Sequence, residues 1–344
     1  AARAVQAGDA DVVACVAADT NHVDSFRLML GGFSDFSRDA TYPYGSGGPN
    51  AMFAFITSAY MARTGAQRSD FGRVCVDQRT NALAFGSRFF KKPLTLDEYL
   101  AARPIAEPIH LFDCVMPCAG AEAFLVMSEQ RARDLGLAYA TVRGSIERHN
   151  AFSQDPVMMR GGWHVDRDDL YAMAACKPDD IGFLQTYDDY PVIVMMQFEG
   201  LGFCGHGEAP AFVRSRSTAW NGDFAHNTSG GQLSSGQAGC AGGFLGMNEA
   251  LRQITDAVGG KAEALRNRLA AWRHELRDDE VKQHQKLIPY MQSSTQPINH
   301  YQLASALGEA LGAGPLGTGH LADNALIIGD GGDVVAMAAK VLPL

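Results

Sequence analysis

Residues 227–243 read NTSGGQLSSGQAGCAGG, and a short distance upstream residues 187–191 read YDDYP. From Asn227 to Gly246 there are seven glycines: Gly230, Gly231, Gly236, Gly239, Gly242, Gly243 and Gly246. Glycine permits positive φ and lets backbone approach a ligand or a neighbouring element closely. The segment then enters the helical stretch MNEALRQI (247–254). A loop feeding a helix N-terminus is a natural site for an anion or oxyanion. A flexible surface loop has the same composition, so composition alone leaves both readings standing.

Working outward, residues 1–6 read as the end of a helix stopped at Gly8. Residues 11–17, DVVACVA, read as a buried strand. The turn GSGGPN (45–50) precedes a helix over 51–64, with Met52, Phe53, Phe55, Ile56 and Tyr60 near helical spacing. In 94–101, LTLDEYLA, Thr95 and Glu98 form a capping-box pattern. Residues 121–127, AEAFLVM, read as a second buried strand, with a helix starting at Ser128. The pattern predicts strand–helix alternation to about residue 255, an α/β fold with predominantly buried strands.

After Gly259-Gly260 the texture changes. Leu265, Leu269, Trp272 and Leu276 mark one face of an amphipathic helix, and Leu303, Leu307 and Leu311 another. The Gly-rich turn GAGPLGTG then leads to a short strand, ALIIGDGGD.

Composition narrows the function classes. Net charge is −9 with no run of Lys or Arg, which argues against nucleic acid as the main partner. No apolar stretch approaches the roughly 20 residues of a membrane span. The seven cysteines, Cys15, Cys75, Cys114, Cys118, Cys176, Cys204 and Cys240, show no repeated metal-ligand spacing. They read as reduced thiols of a cytoplasmic protein, with no metal site.

Several blocks resemble the thiolase superfamily, close to the sterol-carrier-protein thiolases and thiolase-like acyl-CoA aldolases. They are AARAVQAGDADVVACVA (1–17), GGPNAMFAFITSAYMART (47–64), RTNALAF and PLTLDEYL within 79–100, and PIHLFDCVMPCAGAEA (108–123). YDDYP and the 227–243 segment complete the series in the expected order. The resemblance implies a layered αβαβα fold of two similar halves, here N-terminally truncated. Residues 1–138 would be the remainder of the first half with its loop domain, and 139–260 an incomplete second half. It also implies a coenzyme A thioester as substrate. The assembly would be a homodimer or a complex with a small OB-fold/zinc-ribbon partner.

In this family the nucleophilic Cys lies upstream of the first helix seen here, so it is expected to be absent, and Cys15 reads as filler on the following strand. The late Cys-Gly block that supplies the usual base is missing as well. Where relatives carry Asn or His, this chain has Tyr187 followed by Asp188; where they carry G-H-P, it has Gly236-Gln237-Ala238. Tyr and Gln still donate hydrogen bonds to a developing oxyanion, but Gln does not replace His as an acid or base. Tyr acts as acid or base only if its pKa is lowered. Tyr187, Gln237 and Asp188 are therefore the candidate catalytic residues. Asn227, Gly230, Gly231 and Gly236 are candidates to shape the substrate pocket. His110, His164 and His206 read as structural or solvated.

Residues 262–344 resemble thiamine-diphosphate enzymes of the acetolactate synthase and 2-hydroxyacyl-CoA lyase kind. The matching pieces are the Trp272 helix, Pro-Ile-Asn-His at 297–300 and NALIIGDGGDVVAMAAKVL at 324–342. That resemblance would place Asp330, Gly331 and Gly332 near the cofactor. Thiamine diphosphate and Mg²⁺ are expected only if this segment belongs to a complete enzyme. The overall expectation is an enzyme making or breaking a carbon–carbon bond next to a CoA thioester, by acyl transfer or retro-aldol cleavage, impaired by the missing nucleophile. The alternatives are a non-catalytic acyl-CoA-binding or dimerising subunit and part of a thiamine-dependent 2-hydroxyacyl-CoA lyase.

Overall fold

The computed structural model describes residues 1–19, 38–87 and 89–257, with a few isolated positions beside them. The thiamine-enzyme-like segment, with Asp330, Gly331 and Gly332, lies outside the described residues.

The chain divides into two units by internal contacts. One takes residues 1–18 and 123–139 together with the end of the helix Gly242–Ala257; the other takes 19–122 and 140–253. All residues of the candidate site belong to the second.

In the first unit, the helix Ala2–Ala7 ends at Gly8, whose φ of 78° lets its N–H reach back to the carbonyls of Ala4 and Val5. The strands Val12–Asp19 and Gly120–Met127 pair with each other. Ser128 then caps the helix Glu129–Asp134 by accepting from the Arg131 N–H at 3.1 Å. The two strands are where the sequence places them, but they are not deeply buried. Val16 is 58% exposed and Leu125 57%. A pair of strands leaves alternate side chains of each uncovered on one face, and the apolar run alone does not reveal how many neighbours it has.

The second unit is built on helices. Its centre is Pro191–Gly200, PVIVMMQFEG, in which every residue is buried. Such a helix is buried all round and mostly apolar, with Gln197 and Glu199 as its polar members, and Pro191 suits its first turn because no N–H is needed there. Phe198 stacks edge-on against His226, with ring centroids 4.8 Å apart, and also meets Phe212 and Phe224. The helix Arg68–Ala84 packs against this core helix and against Leu96–Leu100, Ala209–Ser215 and Gly231–Ser235. Asp70 caps its start by accepting from the Gln67 N–H at 2.8 Å, and pairs with Arg214 at 2.7 Å. The capping box at Thr95 and Glu98 forms as the sequence predicts, with bonds of 3.1 and 2.8 Å.

One expectation needs correction. The strand–helix alternation does not continue to residue 255. Among the described residues after Met127 there are helices and two isolated parallel bridges, Gln237 with Pro117 and Leu184 with His226. The ladder stops after the Leu184–His226 rung because the side chain of Asn227 takes over. Its Oδ1 accepts the Thr186 N–H at 2.8 Å and its Nδ2 donates to the Thr186 carbonyl at 3.1 Å. A side-chain amide thus substitutes for the next peptide of a strand.

Candidate active site

The segment YDDYP leads into the buried core helix, and successive side chains of an extended run point to opposite sides. Asp188 points inward and is buried. Its carboxylate accepts from the N–H groups of Gln232 (3.0 Å) and Leu233 (3.3 Å) and from the side-chain amides of Gln78 (3.0 Å) and Gln232 (3.4 Å). Burial raises its pKa to about 6 even though these donors favour the charge. Asp188 is thereby the clamp that fixes the start of Gly231–Ser235.

That clamp explains Gly231. Its φ is 58°, and a Cβ there would lie 2.0 Å from Asp188 Oδ2. Gly236, at φ 97°, closes the same short helix; a Cβ would meet Cys118 Sγ at 2.9 Å and the Phe89 ring at 3.0 Å. Asn227, Gly230, Gly231 and Gly236 are all buried. The Gly-rich segment is therefore a tightly packed corner rather than a flexible surface loop. Asn81 ties it down further, donating to the carbonyls of His226 (2.9 Å) and Asn227 (3.2 Å).

On the other side of the segment stand Tyr187 and Asp189. Tyr187 is 43% exposed, and its backbone is held by Gln197, which donates to the Tyr187 carbonyl at 2.7 Å. The Tyr187 hydroxyl donates to Asp189 Oδ2. The other carboxylate oxygen of Asp189, Oδ1, accepts from Gln237 Nε2 at 2.7 Å. Gln237 is itself fixed by backbone bonds to Met116 (2.8 Å) and from Cys118 (2.9 Å). Burial holds the Tyr187 phenol well above its ordinary pKa, and the bond to Asp189 adds to this. Burial also raises the Asp189 carboxyl, opposed by the Tyr187 hydrogen bond. The environment thus favours a neutral phenol, the opposite of the lowered pKa that a free-standing tyrosine base needs.

The sequence brought Tyr187 and Gln237 forward, and the structure brings them together through Asp189, which sequence reasoning passed over. The available signal was the Asp-Asp pair: two consecutive carboxylates in an extended run cannot share one side. His226 was missed too. It is buried beside Thr186, 2.8 Å from the Thr186 hydroxyl, and burial lowers its pKa to about 3, so it is neutral. Cys114 accompanies Asn50 and the His110 carbonyl, and burial pushes its thiol up to about 12. His110 Nδ1 is bonded to the Ala102 carbonyl at 2.6 Å, and His206 is exposed, 3.3 Å from Glu199. Among the described residues no cluster of three or more His, Cys, Asp or Glu side chains is placed to hold a metal ion. No described helix is long and apolar enough to cross a membrane.

A family model described as thiolase C-terminal domain-like matches residues 144–273, a span that holds both YDDYP and the Gly-rich corner and runs on to include Trp272. A steroid side-chain-cleaving aldolase of Thermomonospora curvata is 34% identical over 270 residues, covering 74% of this chain and 68% of that protein. The chain belongs to the thiolase-like superfamily. A 17-hydroxy-3-oxo-4-pregnene-20-carboxyl-CoA lyase of Mycobacterium tuberculosis is 33% identical, over 62% of this chain and 57% of its own length. A solved structure of an Ltp2-ChsH2(DUF35) aldolase superposes with a TM-score of 0.56 at 31% identity, covering 67% of this chain and 62% of that one. This thiolase-like chain therefore spans between about half and two thirds of the length of these relatives.

Proposed function

We propose that this thiolase-like chain serves retro-aldol cleavage of a β-hydroxyacyl-CoA. The β-hydroxyl loses its proton and its oxygen forms a carbonyl. The bond between Cα and Cβ breaks, and its electron pair passes into the enolate of the thioester. A proton added at Cα completes a shortened acyl-CoA, so the reaction is balanced without any further reactant. Tyr187 is the residue that meets the substrate hydroxyl, and Gln237 a donor at the edge of the same site.

The observation that carries this reading is the half-exposed Tyr187 with its hydroxyl anchored on the Asp189 carboxylate, and Gln237 on the opposite oxygen. Such a set can move a proton at an oxygen, whereas acyl transfer needs a thiolate. Burial pushes the thiols of Cys75, Cys114, Cys118 and Cys204 up, which disfavours thiolates there. The similarity to two carbon–carbon-cleaving enzymes of CoA thioesters or steroid side chains supports the same reaction class. The name of the superposed Ltp2-ChsH2(DUF35) aldolase couples two components, in keeping with a small OB-fold/zinc-ribbon partner for this chain.

The test is incubation with 17-hydroxy-3-oxo-4-pregnene-20-carboxyl-CoA, with and without such a partner, followed by mass spectrometry of the CoA thioesters. The expected result is a shortened acyl-CoA that Tyr187→Phe abolishes. Acetoacetyl-CoA thiolysis in place of cleavage would overturn it in favour of acyl transfer. Binding of the thioester with neither reaction would overturn it in favour of a non-catalytic subunit.

A further inference from the structure

Asp189 joins two parts of the chain that the sequence keeps far apart. Tyr187 reaches its Oδ2 from the same segment, and Gln237 reaches its Oδ1 at 2.7 Å from the Gly-rich corner. A carboxylate has two oxygens and so holds two donors in a fixed relation. Its neighbour Asp188 is not free for such work, since four donors occupy it. The Gln237 end is rigid as well, because its backbone is bonded on both sides to the Met116–Cys118 segment.

We propose that Asp189 is the positioning residue of the cleavage site, aligning the Tyr187 hydroxyl with the Gln237 amide and taking the Tyr187 proton as Tyr187 takes that of the substrate. This rests on the retro-aldol reading above. The substrate O–H proton passes to the Tyr187 oxygen while the phenolic proton passes to Asp189 Oδ2. The electron pair released at the substrate oxygen forms the carbonyl, and the enolate formed by breakage of the Cα–Cβ bond gains a proton at Cα. The proton leaving Asp189 afterwards balances that gain. A concerted transfer of this kind needs no free phenolate, which the buried phenol resists. The titratable groups that face Asp189 are Tyr187, Asp188 and Tyr190 on its own segment; Gln237, which meets it from the Gly-rich corner, is neutral.

The experiment reads the coupling directly, apart from turnover. With tyrosine labelled at ¹³Cζ in the full chain, the Tyr187 resonance is identified by its loss in Tyr187→Phe. It should shift as acidification protonates Asp189, and stay flat in Asp189→Asn. Gln237→Met, which removes one donor from the carboxylate, should move the midpoint of that shift to higher pH. A Tyr187 resonance that titrates in Asp189→Asn as in the parent, or a midpoint unmoved by Gln237→Met, would overturn the proposal. In steady state Asp189→Asn should lower kcat at least about 100-fold with KM changed less than about 3-fold. An active Asp189→Asn would overturn the positioning role alone. An inactive parent with a coupled Tyr187 resonance would instead remove the retro-aldol reading while leaving the coupling intact.

Discussion

Asp188 and Asp189 are neighbours in the chain but serve opposite sides of it. Asp188 is buried under four donors at the start of Gly231–Ser235, while Asp189 carries the Tyr187 hydroxyl and the Gln237 amide. Their side chains leave the segment on different sides, so one carboxylate is enclosed by the core and the other meets Tyr187 and Gln237.

The two carboxylates should therefore fail differently. Asp188→Ala strands four donors in the core and should lower stability by about 2–4 kcal/mol, whereas Asp189→Ala should lower it by about 1 kcal/mol. Urea unfolding of the two variants separates these outcomes. Equal losses would mean that Asp189 is as structural as its neighbour.

Tyr187→Phe removes only a hydroxyl from a half-exposed ring. Its midpoint of unfolding should stay within about 0.5 kcal/mol of the parent, while CoA-thioester cleavage falls by 100-fold or more, the usual range for losing a proton-transfer group, ~10²–10⁴. Progress curves and thermal melts on one preparation give both readouts.

Gly231→Ala puts a methyl against Asp188 Oδ2 in a residue at φ 58°. Strain and clash together should cost about 2–4 kcal/mol. The loss should shrink in an Asp188→Ala background, because the clashing oxygen is gone; a double-mutant cycle by chemical denaturation measures that coupling.

Acid stability should depend on His226. Its folded pKa is depressed to about 3 from an ordinary 6.5. The unfolded chain therefore binds a proton first as pH falls, and stability present above pH 6.5 is lost on the way to about 3, at up to about 1.4 kcal/mol per pH unit. Asp188 works the other way: its carboxyl is raised from 3.8 to about 6, so its contribution is present below about 3.8 and is lost as pH rises through 6. Urea midpoints between pH 7 and 4 should then fall less steeply in His226→Gln than in the parent. Asp188→Asn should fall more steeply.

Much of the local structure was legible because it depends on neighbours in sequence. The stop at Gly8, the capping box of Thr95 and Glu98 and the helix start at Ser128 follow from short-range rules and are present, while the helix expected over 51–64 begins earlier, at Gly48, inside the stretch read as a turn. The candidate site was legible in part. Tyr187, Asp188, Gln237 and the glycines stood out as departures within recognisable blocks. Asp189, His226 and Asn81 did not, since their importance comes from partners between about 40 and 145 residues away in the chain.

By itself the sequence determined the family and several helix ends, at Gly8, Thr95 and Ser128, because these rest on residue order and local capping. Only the tertiary structure decided what the Gly-rich segment is. A composition fit for a mobile loop becomes a packed corner once Asp188, Asn81 and Asn227 satisfy its backbone and one another. Tertiary structure also decided which carboxylate of YDDYP holds the fold and which faces Gln237, because that depends on where Gln78, Gln232 and Gln237 are brought against the segment.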